Sequence, residues 1–435
     1  MHNDTESPYS LTLLDVDLHW QVVQLKGHEA LAQPYRFEVE VVGVPLNEDL
    51  EQLLRQPAYL NLGGAGIHGM VHSATREHRG QRRIGHRFVI VPHLQDLDRA
   101  PCRRVFHQLD VPAILLRLLE ENAIPVDSYR LELPQARYPA RPFCIQFDES
   151  DLAFLQRLCE EEGIHYHFEH QPEGHVLVLA DDSLSFAQHP LLLPFQREPQ
   201  AAANAPVIRQ LFQRHASPPP AMITPLLQPH REQLRRRTLE RLRCRHRQIE
   251  GQSNQCEMSS GRIAQVSGHP LAHFNDQWLV TEVWHQVRQP LSQSRDRHGG
   301  YSNRFTAVPW ATEFRPPLTQ ARPVIPGYQP ARILGPVGQP AQRDELGRIK
   351  VRLWPDLPHG DDDDSGVWLP LAVAALEGQL EPAQGPVGGE EGLVSFLDSD
   401  PDRPVLCALS RPLVPRVPRP SRGDDRLLLD WLINR

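Results

Sequence analysis

Long hydrophobic runs are absent from this 435-residue sequence. No stretch approaches the roughly 18 apolar residues that a membrane-spanning helix requires. The first residues, MHNDTESPYS, also lack the basic start and the apolar core of a secretory signal peptide. Together these absences predict a protein without a membrane span that is made and kept in the cytoplasm, unless a machine that does not read signal peptides exports it.

Cysteine is scarce and scattered: six residues are spread along the chain, and none shows C-x-x-C spacing. That spacing is typical of zinc sites, and dense cysteines in a short chain are typical of disulfide scaffolds. The sequence therefore predicts reduced, buried thiols. The net charge of −8 likewise gives no general reason to expect binding to nucleic acid or to an anionic membrane.

Familiar catalytic motifs are also lacking, since no G-x-S-x-G elbow, Walker loop or H-E-x-x-H occurs. Residues 64–69, GAGIHG, do match G-x-G-x-x-G, the loop that holds a pyrophosphate in dinucleotide-binding folds. Such a site needs a helix after the loop, whereas residues 70–75, MVHSAT, are typical of a strand. A hairpin turn is predicted here, and no catalytic or cofactor-binding residue is assigned.

Two groups of side chains invite a metal-site interpretation. His165, His167 and Glu169 share one face of a predicted strand, but no third histidine or cysteine is placed by its spacing to complete a zinc site. The acidic run 361–364 sets its carboxylates side by side, whereas calcium loops separate them and add a distal glutamate. We predict solvated side chains on a sheet face and an acidic surface turn, and therefore no metal site.

Proline is abundant, at 42 residues, about twice the usual ~5%. This favours many strands with hard turns over long helices, and the length predicts two to four domains, since single cores rarely exceed about 250–300 residues. Strict alternation at 35–41 and the apolar run 88–91 before Pro92 predict strands of a small β-barrel in residues 1–100.

Two helices are predicted after this barrel. The first covers 111–123 behind Asp110, and the second covers 150–162 between Ser150 as N-cap and Gly163 as terminator. Strands at 164–168, 176–180 and 278–285 then complete a second barrel with helical insertions, within residues 101–320. Residues 160–162 are three glutamates at the C-terminal end of the second helix, where the helix dipole disfavours negative charge. A local sequence choice that is unfavourable in this way tends to mark an interaction site.

A third helix is predicted at 231–243, and residues 198–235 otherwise form a long irregular connection. Eight arginines between 231 and 247 make the strongest basic run of the sequence. Nucleic-acid grooves combine such charge with stacking aromatics, and none occurs there. We predict a solvated arginine face with Leu234, Leu239 and Leu242 on the buried side, and contact with a partner's acidic surface as the alternative.

Prolines from 315 to 330 indicate a linker, and the linker between the domains is assigned to 321–330. Five short strands in 331–410 predict an OB-like barrel. The tail 411–435 is proline-rich and ends in a short amphipathic helix. Leu428, Trp431 and Leu432 share one stripe of that helix, which either binds a partner or packs against the chain's own barrel.

Many ordered segments between about residues 10 and 410 resemble the VgrG family, the spike proteins of type VI secretion, which are related to contractile-phage tail hubs. The segments are 33–37 (QPYRF), 91–94 (VPHL), 147–170, 250–254 (EGQSN), 275–280 (NDQWLV), 344–351 and 400–404 (DPDRP). The resemblance implies a mainly β fold: two phage-hub-like β-barrel domains with helical insertions, then a small OB-fold barrel.

The sequence departs from the family pattern at several places. Residues 216–230 replace a tract that is usually rich in tyrosine and glycine. Between Trp368 and Gly392, a stretch that contains proline, glutamine and glycine replaces the family's glycine-punctuated loop. Ser399 stands where a glycine normally precedes Asp-Pro-Asp. The family also continues into a long trimeric β-needle, whereas this sequence stops at Arg435. Properties that depend on the needle are therefore not carried over.

The resemblance implies a structural spike or hub of a type VI secretion apparatus. Such a protein forms a homotrimer, mounts on a ring-shaped, Hcp-like tube protein, carries a PAAR-like tip protein, an effector or an adaptor, and leaves the cell without a signal peptide. A hub of a phage or phage-derived particle is one alternative. An enzyme or toxin cargo of the machine is another, disfavoured because the roughly 25 residues after 410 are fewer than the ~50 of a typical domain.

Overall fold

The computed structural model describes residues 8–16, 18–42, 49–79, 83–196, 206–217, 229–289, 300–355, 366–372 and 385–409. The chain divides into two compact units, one ending at Pro323 and the other beginning at Val324. Both units consist mainly of β-strands, as predicted. The acidic run 361–364 and the predicted C-terminal helix lie outside the described residues.

Six strands of the first unit form a closed barrel, barrel 1. They are β1 (Tyr9–Leu13), β2 (Leu18–Ala30), β3 (Gln33–Val42), β4 (Pro57–Leu62), β5 (Gly66–Arg79) and β6 (Arg83–Val91). Neighbours pair antiparallel in the order β1-β4-β5-β6-β3-β2, and β2 pairs back to β1. Phe37, Val39 and Val41 point into the core at period two, which confirms the strand predicted there.

The GAGIHG motif lies in the hairpin between β4 and β5, which confirms the turn prediction. Gly63 and Gly64 adopt positive φ angles of 82° and 146°, which favour glycine. At Gly69 a Cβ atom would lie 2.7 Å from the carbonyl oxygen of Val91, so the last glycine lets two strands approach closely. The motif therefore serves strand packing.

Between the barrels lies an α/β segment that we call the inserted layer. Its elements are β7 (Cys102–Leu109), α1 (Val111–Glu121), β8 (Tyr129–Glu132), β9 (Arg141–Glu149), α2 (Asp151–Glu162), β10 (His165–Gln171) and β11 (Gly174–Ala180). Both predicted N-caps are confirmed: Asp110 accepts from the Ala113 N–H at 2.9 Å, and Ser150 accepts from that of Ala153 at 3.2 Å. Gly163 ends α2 in the left-handed region.

The assignment of strands 164–168 and 176–180 to the second barrel is wrong. β10 pairs antiparallel with β11, and β11 pairs parallel with β8 in a separate three-stranded sheet. Tyr166 and Leu179 of this sheet join Ile114 and Leu155 of the two helices in one core. The sheet is therefore held by the helices that precede it, and alternation within the strands carries no information about that choice.

The second barrel, barrel 2, contains the remaining strands of the first unit. Helix α3 lies between two of these strands in the sequence. Its elements are β12 (Ala187–Pro194), β13 (Ile208–His215), α3 (Pro229–His246), β14 (Arg247–Ser253), β15 (Arg262–Ser267), β16 (Gln277–Arg288) and β17 (Gly300–Pro309). The strand order is β12-β15-β16-β17-β14-β13, and a bridge between Phe195 and Ile208 nearly closes it. Because β13 falls within 198–235, the irregular connection predicted there is wrong for that strand.

The two barrels are joined edge to edge. β16 pairs antiparallel with β2 as well as with β17, so both barrels share one continuous twelve-stranded sheet. We call this pairing of β2 with β16 the seam. It explains why barrels 1 and 2 fall within a single compact unit.

The second unit is a small barrel of the five predicted strands. They are β18 (Tyr328–Ile333), β19 (Ile349–Leu353), β20 (Val367–Leu369), β21 (Glu391–Phe396) and β22 (Pro404–Leu409). They pair in the order β20-β19-β18-β21-β22, and a bridge between Leu371 and Leu406 brings the two ends together. Ser399 has a φ angle of 57°, a value that favours glycine and so accounts for the family preference there.

Candidate functional site

The three glutamates at the end of α2 find their partners inside the chain. Glu162 is almost fully buried, and its carboxylate pairs with Arg237 of α3 at 2.5 Å and with Arg141 of β9 at 2.9 Å. Glu161 pairs with Arg157 at 3.1 Å. Arginines from β9, α2 and α3 therefore offset the unfavourable position of these glutamates at the C-terminal end of the helix. The interaction site that the three glutamates indicate is thus a contact within the chain.

Glu160 holds the segment that follows barrel 2. Its carboxylate accepts from the backbone N–H groups of Thr319 at 2.7 Å and Gln320 at 2.8 Å, and from the Thr319 hydroxyl. Arg315, a few residues earlier, is 6% exposed. The predicted linker is therefore wrong over its first residues, because 315–320 is anchored on α2.

Two further arginines complete this arrangement. Arg315 donates to Glu240 at 2.8 Å and to the Asp181 carbonyl at 2.8 Å. Arg241 donates to the carbonyl oxygens of Glu160 at 2.6 Å and Pro316 at 2.7 Å. We call Glu160, Glu162, Arg237, Glu240, Arg241 and Arg315 the arginine–glutamate junction. It joins the inserted layer to α3 and to the segment after β17.

The solvated arginine face predicted for α3 is wrong for the junction residues. Arg237 and Arg241 are buried, at 3% and 9% exposure, whereas Leu239 is 46% exposed. Long arginine side chains reach carboxylates across an interface and cover apolar surface with their stems. The side of α3 that faces the protein is therefore the charged one, which leucine spacing does not reveal.

His165 and His167 are buried, so the prediction of solvated side chains on a sheet face is wrong. Both rings pack on Phe186, with centroids 4.6 and 5.1 Å from it, because the second face of β10 is covered as well. His165 Nε2 lies 3.1 Å from the Ser185 hydroxyl, and burial lowers the pKa of His165 well below its usual value. Among the described residues no group of three or more His, Cys, Asp or Glu side chains could hold a metal ion.

The six cysteines are free, but Cys102, Cys256 and Cys407 are only half-buried, so the prediction of buried thiols is wrong for these three. Cys144, Cys159 and Cys244 are buried, and burial raises the pKa of each thiol, so these three remain protonated near neutral pH. Thiol chemistry at these positions is therefore suppressed.

The seam carries an exposed aromatic pair that sequence reasoning missed. Trp284 of β16 is 52% exposed and stacks on its cross-strand neighbour His28, with ring centroids 3.9 Å apart. His28 Nε2 also lies 2.9 Å from a carboxylate oxygen of Glu282. A groove of about 640 Å³ lies beside them, lined also by Arg36 and Arg209. A register shift after Val280 turns the side chain of Trp284 outward. The alternation of apolar and polar residues does not by itself predict this shift.

The predicted partner-binding residues Leu428, Trp431 and Leu432 lie outside the described residues, so their role stays a prediction. No helix in the part of the chain that the structure describes is long and apolar enough to cross a membrane.

Comparison with known proteins identifies relatives of the whole arrangement. The family model of the phage tail baseplate hub (GPD) matches residues 28–224 and 220–291. The type VI secretion system spike protein VgrG5 of Pseudomonas aeruginosa is 36% identical over 461 residues, a match that covers 95% of this chain and 58% of that protein. The chain thus spans less than two thirds of the length of this relative.

Solved structures agree in fold. The Escherichia coli c3393 protein, described as a component of the type VI secretion system, matches with a TM-score of 0.75 at 22% identity, over 92% of this chain and 99% of that one. A chain of the Francisella PdpA–VgrG complex matches with a TM-score of 0.60 at 9% identity, over 96% and 72%. At these identities the likenesses show the fold alone. From the family match the chain belongs to the phage tail baseplate hub family, and its sequence is similar to those of the VgrG spike proteins.

Proposed function

We propose that this chain is a structural hub of a type VI secretion spike. The observation that carries the proposal is the pair of barrels joined at the seam and followed by a separate small barrel, in a chain 36% identical to a spike protein. Its action is mechanical: it assembles, mounts on the tube and carries cargo. Catalysis is not part of the proposal, because the relative that supports it is named as a spike protein.

Assembly as a homotrimer is the first testable part of this function. Because closed oligomers use a repeated surface, three copies can form a ring that presents one face to a ring-shaped, Hcp-like tube protein. We expect size-exclusion chromatography with light scattering to give a mass of about 150 kDa, three times that of the 49.5 kDa chain. A chain that stays monomeric at high micromolar concentration contradicts the simple hub function.

Cargo attachment through the tail is the second testable part. We propose that Leu428, Trp431 and Leu432 anchor a short docking helix for a PAAR-like tip protein, an effector or an adaptor. A helix of about 12 residues is marginal alone, so it needs a surface to pack on. Replacing the three anchors by alanine is expected to remove a co-purifying partner while the melting temperature is unchanged.

Replacing Asp430 and Asn434 by alanine in the same segment is the matched control, and it should retain the partner. A marked fall in melting temperature with the partner retained would show instead that the helix packs on the chain's own barrel. Release through the secretion apparatus belongs to the same proposal, and its test is the appearance of the chain in culture medium only when the contractile apparatus is intact.

A hub of a phage or phage-derived particle is the second candidate. The observation that favours it is the family model itself, which is that of a phage tail baseplate hub. Neighbouring genes separate the two candidates: genes for a contractile sheath with capsid or lysis proteins support the particle, and genes for a membrane-anchored secretion complex support the spike.

A further inference from the structure

Four histidines meet where the inserted layer contacts barrel 1. His68 lies on β5 and His93 follows β6, whereas His170 and His175 lie on β10 and β11. The rings of His93 and His175 stack with centroids 4.6 Å apart, and those of His170 and His175 are 6.3 Å apart. The ring of Tyr35 on β3 also packs on His170 and His175, with centroid distances of 5.3 and 5.9 Å. Imidazoles thus form one part of the contact between barrel 1 and the inserted layer, beside Phe168, whose ring lies 4.9 Å from that of Tyr35.

Two hydrogen bonds cross this contact in the same sense. The backbone N–H of His68 donates to Nδ1 of His170 at 3.1 Å. The backbone N–H of His93 donates to Nε2 of His175, also at 3.1 Å. A ring nitrogen accepts only when it carries a lone pair, and a protonated imidazole has N–H groups at both nitrogens. Both bonds therefore require neutral rings at His170 and His175.

We propose that these two bonds form an acid-released latch between barrel 1 and the inserted layer. The latch is closed while His170 and His175 are neutral. When either ring takes up a proton, its N–H faces a backbone N–H, and the contact between β10, β11 and barrel 1 opens. The inserted layer then separates from barrel 1 without unfolding of the barrel.

The groups around His170 and His175 offer little stabilisation to the positive charge that a protonated ring would carry. His170 faces His68, and His175 faces His68, His93 and His170, so the groups that act on them are other imidazoles. Asp96 and Arg55 act in opposite directions on His93, and Glu29 acts on Tyr35. Burial first, and these neighbours second, lower the pKa of His170 to about 3 and that of His175 to about 2.

The direction of the pH dependence follows from these lowered values. A released histidine has a pKa near 6.5, so the open state binds more protons than the closed state below that pH. The latch is therefore at full strength above about pH 6.5 and weakens as the pH falls toward 3. With two such rings, the opening equilibrium increases by up to about 100-fold per pH unit within this window.

Hydrogen exchange of the full chain tests the latch. Exchange measured by mass spectrometry at about pH 7.5 and 4.5, and corrected for intrinsic rates, reports opening segment by segment. Peptides that contain His68, His93 and strands β10 and β11 are expected to lose at least tenfold in protection at the lower pH. The β1–β4 pairing on barrel 1 is expected to keep its protection. Unchanged protection of the latch peptides, or simultaneous loss everywhere, overturns the proposal.

A double variant tests the chemistry of the acceptors. In His170→Asn the amide oxygen takes the place of Nδ1, and in His175→Gln it takes the place of Nε2, so both bonds persist without a titratable group. This variant should keep the latch peptides protected at pH 4.5, whereas His189→Gln, an exposed histidine on β12, should behave like the native chain. A double variant that opens at the same pH as the native chain overturns the proposal. If the double variant does not fold, the native pH dependence decides.

Discussion

Replacing Arg237 with methionine is expected to lower the free energy of unfolding of the first unit by about 3 kcal/mol. Arg237 and Glu162 have only 4% and 2% of their side-chain surfaces exposed, and their charged atoms are 2.5 Å apart. Removing the guanidinium leaves a carboxylate that is already desolvated and has lost its ion pair with Arg237. The expected loss lies at the lower end of the range for buried pairs because Arg141 remains in place.

The control and the double variant make this expectation specific to the buried charge. Arg243→Met removes an exposed arginine from the same helix and is expected to change stability by less than about 0.5 kcal/mol. Combining Arg237→Met with Glu162→Met is expected to recover much of the loss, because no uncompensated carboxylate remains. Urea unfolding followed by circular dichroism measures the free energy of unfolding of the two single variants and of the double variant. If Arg237→Met and Arg243→Met unfold alike, the junction does not stabilise the first unit.

Trp278→Ala is expected to destabilise barrel 2 by about 3–5 kcal/mol. Trp278 is fully buried among the core residues of this barrel, and its indole N–H donates to the Phe274 carbonyl at 3.0 Å. The guanidinium of Arg247 also lies 4.8 Å from its ring. Truncation therefore leaves a large cavity, an unpaired carbonyl group and a cation without its aromatic partner.

Trp284→Ala on the same strand is the matched control, because this side chain faces solvent. Its loss is expected to cost less than about 1 kcal/mol, the value of an exposed stacking contact with His28. Thermal unfolding measured by circular dichroism compares the two variants directly. Equal effects from both tryptophans would contradict the inside and outside assignment of strand β16.

Local features of the fold follow from local chemistry and are predictable from the sequence. The caps at Asp110 and Ser150 need only a side-chain oxygen near free N–H groups, and Gly163 needs only its freedom at positive φ. The hairpin at residues 64–69 follows from glycines flanked by strand-forming residues. The sequence pattern also identifies the five strands of the second unit.

The candidate sites were less predictable because burial depends on what packs against the second face of an element. His165 and His167 alternate with apolar residues in the way that solvated side chains do, yet Phe186 covers them. Arg237 and Arg241 have the spacing of a solvated face, yet they meet a carboxylate and a carbonyl group that lie 75 and 81 residues away in the sequence. A periodic pattern reports which residues share a face, and it does not report what lies opposite that face.

The sequence by itself determined the strand periods, the helix caps, the turn at residues 64–69 and the family resemblance, because each depends on residues that are close along the chain or on their order. Only the tertiary structure decided that β10 and β11 join the inserted layer, that β2 pairs with β16 at the seam, and that a register shift turns Trp284 outward while Trp278 points in. The physical reason is that these outcomes are set by contacts between segments far apart in sequence, where one extra residue in a strand reverses every face that follows it.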